Sequence, residues 1–110
     1  MYVMYICFAC ILQVQTLLDD HLIRTQSMKG SVYARPFEAK INSWEEWLMT
    51  AQELMELWLK VQSAWMYLEP VFGAEDIMNQ MPGEGQMFTV VNQHWHKLMK
   101  EVNTLLITLS

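Results

Sequence analysis

Apolar residues recur in alternating steps of three and four over most of the chain, the spacing of one face of an α-helix. The pattern is strongest between residues 36 and 68. Ile41, Trp44, Leu48, Ala51, Met55, Trp58 and Trp65 follow it, interrupted only by Gln62. A neighbouring row of Trp47, Leu54, Val61 and Leu68 repeats at every seventh position. Together the rows predict an apolar face broader than the seam of a two-stranded coiled coil. Glu45, Glu46, Gln52, Glu53, Glu56 and Lys60 are expected on the opposite side, with Glu56 and Lys60 spaced for an i,i+4 ion pair. Ser43-Trp44-Glu45-Glu46 has the form of a capping box, and Pro36 suits the first turn of a longer helix. Phe37 continues the stripe back from Ile41, which favours the longer helix.

Three further helices are predicted. The first covers residues 6–28, with Ile11, Val14, Leu17, Leu18, His21 and Leu22 on one side and Asp19, Asp20 and Arg24 on the other. A short helix over residues 75–81 ends at Pro82, because the residue before a proline avoids helical geometry. The last, over residues 86–109, carries Phe88, Val91, Trp95, Leu98, Val102, Leu105 and Leu109 at helical spacing. Gly and Pro cluster at three breaks, residues 30–36, 70–73 and 82–85. No strand-type alternation persists. The expected fold is all-α, an antiparallel helical bundle of three longer helices and one short helix.

Composition sharpens this picture. Of 110 residues, 53% are hydrophobic, with five Trp and ten Met. A chain of this size buries only about two-thirds of its unfolded surface, so part of the apolar area is expected to face a partner. The net charge is −5 and the seven basic residues are scattered, which argues against a nucleic-acid partner. The apolar residues 1–12, MYVMYICFACIL, fall short of the roughly 20 residues needed to span a bilayer. They also lack the basic start and cleavage site of a signal peptide. A cytosolic or cytoskeletal protein without a membrane partner is expected, and two cysteines with no disulfide framework fit a reducing compartment.

Candidate chemistry is sparse. Cys7-Phe8-Ala9-Cys10 is a C-x-x-C, but a redox motif needs a helix start at its first cysteine, and here the pair lies inside an apolar run. Buried or incidental thiols are expected, and no second pair completes a zinc site. His94 and His96, two apart on a helix, point away from each other. Asp19-Asp20-His21 has no nucleophile in a recognisable context. Gly83-Glu84-Gly85 lacks the Lys-Ser/Thr ending and preceding strand of a phosphate loop, and reads as a helix–helix turn. The Trp and Met stripes read as core or interface rather than a ligand pocket. No catalytic, cofactor-binding or metal residues are expected. The residues alone imply a helical interaction or structural module.

Three segments carry a family resemblance: LLDDHLIRTQSMKGSVYAR over residues 17–35, WLKVQSAWMYLEPVF over 58–72 and EDIMNQMPGEGQMF over 75–88. In order and spacing they resemble the linker region of dynein heavy chains. Val91, Trp95 and Leu98-Met99-Lys100 fit the same pattern, so the resemblance covers about residues 13–105. Its most specific part is W-x-x-V-Q-x-x-W-x-Y-L-E, from Trp58 to Glu69. The Glu69-Pro70 step and the LLDDH…TQ-x-M-x-G-S segment resemble the axonemal branch more than the cytoplasmic one.

The resemblance implies a segment of a helical rod, the linker that bends and straightens over a ring of ATPase modules. It divides the chain into an apolar stretch over residues 1–12, unlike the family, and a linker segment over 13–110. Trp44, Trp58, Val61, Gln62, Trp65, Tyr67, Leu68, Glu69, Pro70 and Trp95 become expected core or interface positions. The expected partners are adjacent linker helices, the ATPase ring and other dynein subunits. ATP and Mg are expected in the whole motor and not in this segment. The expected location is the cytoskeleton, in the axoneme of a cilium, otherwise the cytoplasm. Gln86-Met87 stands where relatives tend to be basic, and Leu57 where an acidic residue is usual. The competing reading is a free-standing helical module that grips a partner through its Trp/Met face.

Overall fold

The computed structural model describes residues 6–109, with the backbone alone at 106. The expected helix set is present: α1 (Phe8–Lys29), α2 (Glu38–Phe72), the short α3 (Glu75–Gln80) and α4 (Pro82–Leu109). A 3-10 helix, Val32–Phe37, joins α1 to α2. No strand occurs among the described residues. Residues 1–5 of the apolar N-terminal stretch lie outside the described residues.

Local chemistry sets the boundaries. Gly30 closes α1, its N–H donating to the Ser27 carbonyl at 3.3 Å. Ser31 then caps the 3-10 helix by accepting the Tyr33 N–H at 3.3 Å. Pro36 sits inside that 3-10 turn, where its fixed φ fits. α2 starts directly afterwards, so Ser43 lies inside a helix and caps nothing. Pro70 does not end α2; it occupies the last turn, and Gly73 closes that turn by donating to the Glu69 carbonyl at 2.9 Å.

The expected turn at residues 82–85 is instead the first turn of α4. Pro82 ends α3 by forcing Met81 out of helical geometry (φ −130°, ψ 65°), and it opens α4 because the first helical position needs no N–H donor. Gly85 is buried, and a Cβ there would lie 2.6 Å from the Met78 sulfur. The missing side chain lets α4 approach α3 closely.

The helices form two compact units. Within Cys7–Lys60, Asp19 accepts a hydrogen bond from the Gln52 side-chain amide, and Lys29 meets Glu45 at 3.1 Å. Residue numbers rise on α1 as they fall on α2, so the pairing is antiparallel. Ile11, Leu18, Thr25 and Leu48 are buried here. The α1 stripe is Ile11, Gln15, Leu18, Leu22 and Thr25, in steps of four and three. Val14, Leu17 and His21, expected inside, are exposed. Thr25 tolerates burial because its hydroxyl donates to the His21 carbonyl at 2.7 Å, inside the helix.

The second unit holds residues 61–109 together with Ile6. Its core is aromatic. The rings of Trp65 and Trp95 stack at 5.6 Å, and those of Phe72 and Phe88 at 5.2 Å. This pairing of α2 with α4 is antiparallel too. Such ring pairs contribute about 1 kcal/mol beyond the area they bury. Met99 and Gln62 are also buried.

Candidate interaction face

The long helix α2 carries two apolar seams, divided differently from the two rows read off the sequence. One runs Ile41, Glu45, Leu48, Gln52, Met55, Leu59 and Gln62, all buried or half-buried. Glu45 and Gln52, expected on the outer side, belong here. Both are long enough to keep their polar ends on Lys29 and Asp19 while their stems lie against apolar neighbours.

The other seam runs Trp44, Trp47, Ala51, Leu54, Trp58, Val61, Trp65, Leu68 and Phe72, again in steps of three and four. Its C-terminal part is covered: Trp65 is 9% exposed, Leu68 and Phe72 half-buried. Its N-terminal part is open: Trp44 is 44% and Trp47 58% exposed, and Leu54 is also exposed. The open indoles stack on each other with ring centroids 5.2 Å apart and planes within 6°. They border a shallow groove with Ala39, Lys40 and Ser43.

The ten expected core or interface positions thus have different surroundings. Trp65 and Trp95 are covered, and the Trp65 indole N–H donates to the Asn92 side-chain carbonyl at 2.8 Å. The His96 ring makes a T-shaped pair with the same indole, ring centroids 6.4 Å apart. Gln62 is fully buried, and its amide holds both backbone groups of Ile6. It accepts the Ile6 N–H at 2.8 Å and donates to the Ile6 carbonyl at 2.7 Å. Trp58 and Leu68 are half-buried, whereas Trp44, Val61, Tyr67, Glu69 and Pro70 are exposed. Asn92 and Ile6 are missing from the sequence reading. The signal for Gln62 and Asn92 is a polar residue at or beside a seam position, which a buried seam tolerates only when its hydrogen bonds are met.

The candidate chemical motifs also take definite positions. His94 and His96 lie exposed on α4, and Gly83-Glu84-Gly85 is wound into that helix. No group of three or more metal-ligating side chains forms among the described residues. No described helix is long and apolar enough to cross a membrane. Cys7 and Cys10 are free and exposed, not buried. Cys7 is the N-cap of α1, so the pair stands at a helix start rather than inside a helix.

Residues 4–108 match the family model described as dynein heavy chain, N-terminal region 2. Over 88 residues, 80% of this chain, the sequence is 51% identical to dynein axonemal heavy chain 12 of Homo sapiens, of which the match covers 3%. Over the same share of this chain it is 51% identical to dynein axonemal heavy chain 3 of Mus musculus, covering 2% of that protein. Against dynein axonemal heavy chain 1 of Mus musculus it is 49% identical, again covering 2%. The chain therefore spans a few per cent of the length of these relatives. No solved structure matches it.

Proposed function

The chain belongs to the dynein heavy chain family, within N-terminal region 2, and from that premise we propose that it is a structural segment of the linker, the helical lever of an axonemal-type heavy chain. The observation that supports this best is the half-covered seam of α2. A helix of 35 residues is about 50 Å long at ~1.5 Å per residue. One stretch of its Trp-rich seam is already packed, and the next, with Trp44, Trp47 and Leu54, awaits a helix of the same heavy chain. Packed helices of this length suit force transmission, because close-packed interiors are poorly compressible.

In this reading the segment has no chemical step. Gly83 and Gly85 are closed into a helical turn followed by Gln86-Met87, with no Lys-Ser/Thr, and so do not form a phosphate cradle. ATP and Mg, and attachment to microtubules, belong to other parts of the heavy chain. The neighbours of this segment are adjacent linker helices and the ATPase ring, in the axoneme of a cilium. The test is Glu53→Pro in a full-length axonemal heavy chain, which breaks α2 at an exposed position at a cost of about 3 kcal/mol. ATP turnover should persist while microtubule gliding slows by about fivefold or more. Unchanged gliding would rule out the lever role.

The exposed Trp44–Trp47 stack also favours the second reading, a free-standing module that binds a partner helix. The two separate on the isolated 110-residue chain. A linker segment should self-associate or bind the apolar dye ANS. A free module should be a monodisperse monomer with a sharp unfolding transition and little dye binding.

A further inference from the structure

Cys7 and Cys10 stand at the start of α1, in an arrangement that a purely mechanical segment leaves unused. Cys7 is non-helical (φ −54°, ψ 129°), and its carbonyl accepts the Ile11 N–H at 3.1 Å, the first bond of the helix. Cys10 is three residues further on, in the first turn. Positions three apart across a helix start lie on the same side. Both residues are exposed and both thiols are free.

The electrostatics of this position favour an anion on Cys7. A helix begins with N–H groups that have no partner within the helix, and with a partial positive charge. No acidic residue occupies the first turn of α1 to offset it. The Cys7 side chain makes no capping hydrogen bond. Even so, the nearby N–H of Cys10, and then that of Ala9, hold its thiol below the usual cysteine range, against a smaller opposing effect of desolvation.

We propose that Cys7 and Cys10 are a redox couple, with Cys7 the peroxide-reactive thiolate and Cys10 the thiol that resolves it. In the first step the Cys7 thiolate attacks one oxygen of hydrogen peroxide. An S–O bond forms, the O–O bond breaks, hydroxide leaves, and Cys7 becomes a sulfenic acid. In the second step the Cys10 sulfur attacks the Cys7 sulfur. The S–S bond forms, the S–O bond breaks, and the Cys10 proton leaves with the hydroxyl as water. The hydroxide takes up the proton that Cys7 released on ionising, so in sum two thiols are oxidised and one peroxide is reduced to two waters. A dithiol such as dithiothreitol reverses the change.

The experiment treats the whole chain with stoichiometric hydrogen peroxide and maps the peptide holding both cysteines by mass spectrometry. The expected product has an intrachain disulfide, its peptide lighter by two hydrogens. In Cys10→Ser, dimedone should trap a sulfenic acid on Cys7; in Cys7→Ser, thiol loss should slow by about fivefold. Circular dichroism confirms that both variants keep their helices. A measurement on the unsubstituted chain stands apart from folding defects. The pH midpoint for alkylation of Cys7 should lie lower in the folded chain than in the chain unfolded in guanidinium. Disulfide-linked dimers, two independent sulfenic acids, or the same midpoint in both states would overturn the proposal.

Discussion

Along one seam of α2, Trp65 stacks on Trp95 and donates to Asn92, both on α4, while Trp44 and Trp47 stack on each other. Residues 61–109 bury Trp65 and Trp95; Cys7–Lys60 buries aliphatic side chains and Thr25 and leaves Trp44 and Trp47 open. The spacing of apolar residues is the same in both stretches. Periodicity therefore decides which way a side chain points on a helix, and the presence of a second helix decides whether it is covered.

The comparison predicts a graded series of stabilities in the 110-residue chain, measured by urea unfolding followed through far-UV dichroism. The largest loss belongs to Trp95→Ala, which removes a 3% exposed indole and leaves Trp65 without its stacking neighbour. It should cost about 3–5 kcal/mol. A loss under about 1 kcal/mol would mean that the aromatic core is not well packed. Gln62→Leu comes next. It substitutes an apolar side chain of similar size and strips the Ile6 N–H and carbonyl of their partner, for a cost of about 2–3 kcal/mol.

At the open end, Trp44→Ser with Trp47→Ser should cost about 1–2 kcal/mol, less than Trp95→Ala, because each indole is already about half exposed. The same pair of changes should lower ANS fluorescence markedly; undiminished dye binding would place the open apolar face elsewhere. The smallest effect is expected from Lys29→Met, which removes the ion pair with Glu45. The pair is partly exposed and should contribute about 0.5 kcal/mol. Titration with salt should erase the difference between variant and parent, and a difference that survives high salt would point to packing instead.

The helices were legible in the sequence because each keeps three–four spacing over several turns. The boundary at Pro82 was not, since a proline that ends one helix is also suited to begin the next. The inner face of α1 is ambiguous in the sequence, because Val14, Leu17 and Gln15, Thr25 offer two stripes of similar quality. The more polar one is buried, and the Thr25 hydroxyl is paired within its own helix. Polarity alone does not place Glu45 and Gln52, because long side chains can cover apolar surface with their stems, and both are half-buried. The sequence leaves the thiols buried or incidental, and two residues' difference in where α1 starts puts Cys7 at the N-cap, exposed. The openness of Trp44 and Trp47 has no local signature, since it depends on what lies above them.

The clasp between Gln62 and Ile6 makes the two positions unequal in what they tolerate. At position 6 the bonds run through the main chain, so any side chain other than proline, which lacks the donor, leaves them intact. At position 62 they run through one carboxamide of fixed reach. Glutamate has no hydrogen to donate, and asparagine is a methylene too short. A library of substitutions at the two sites should thus yield a nearly flat profile at one and a single sharp survivor at the other.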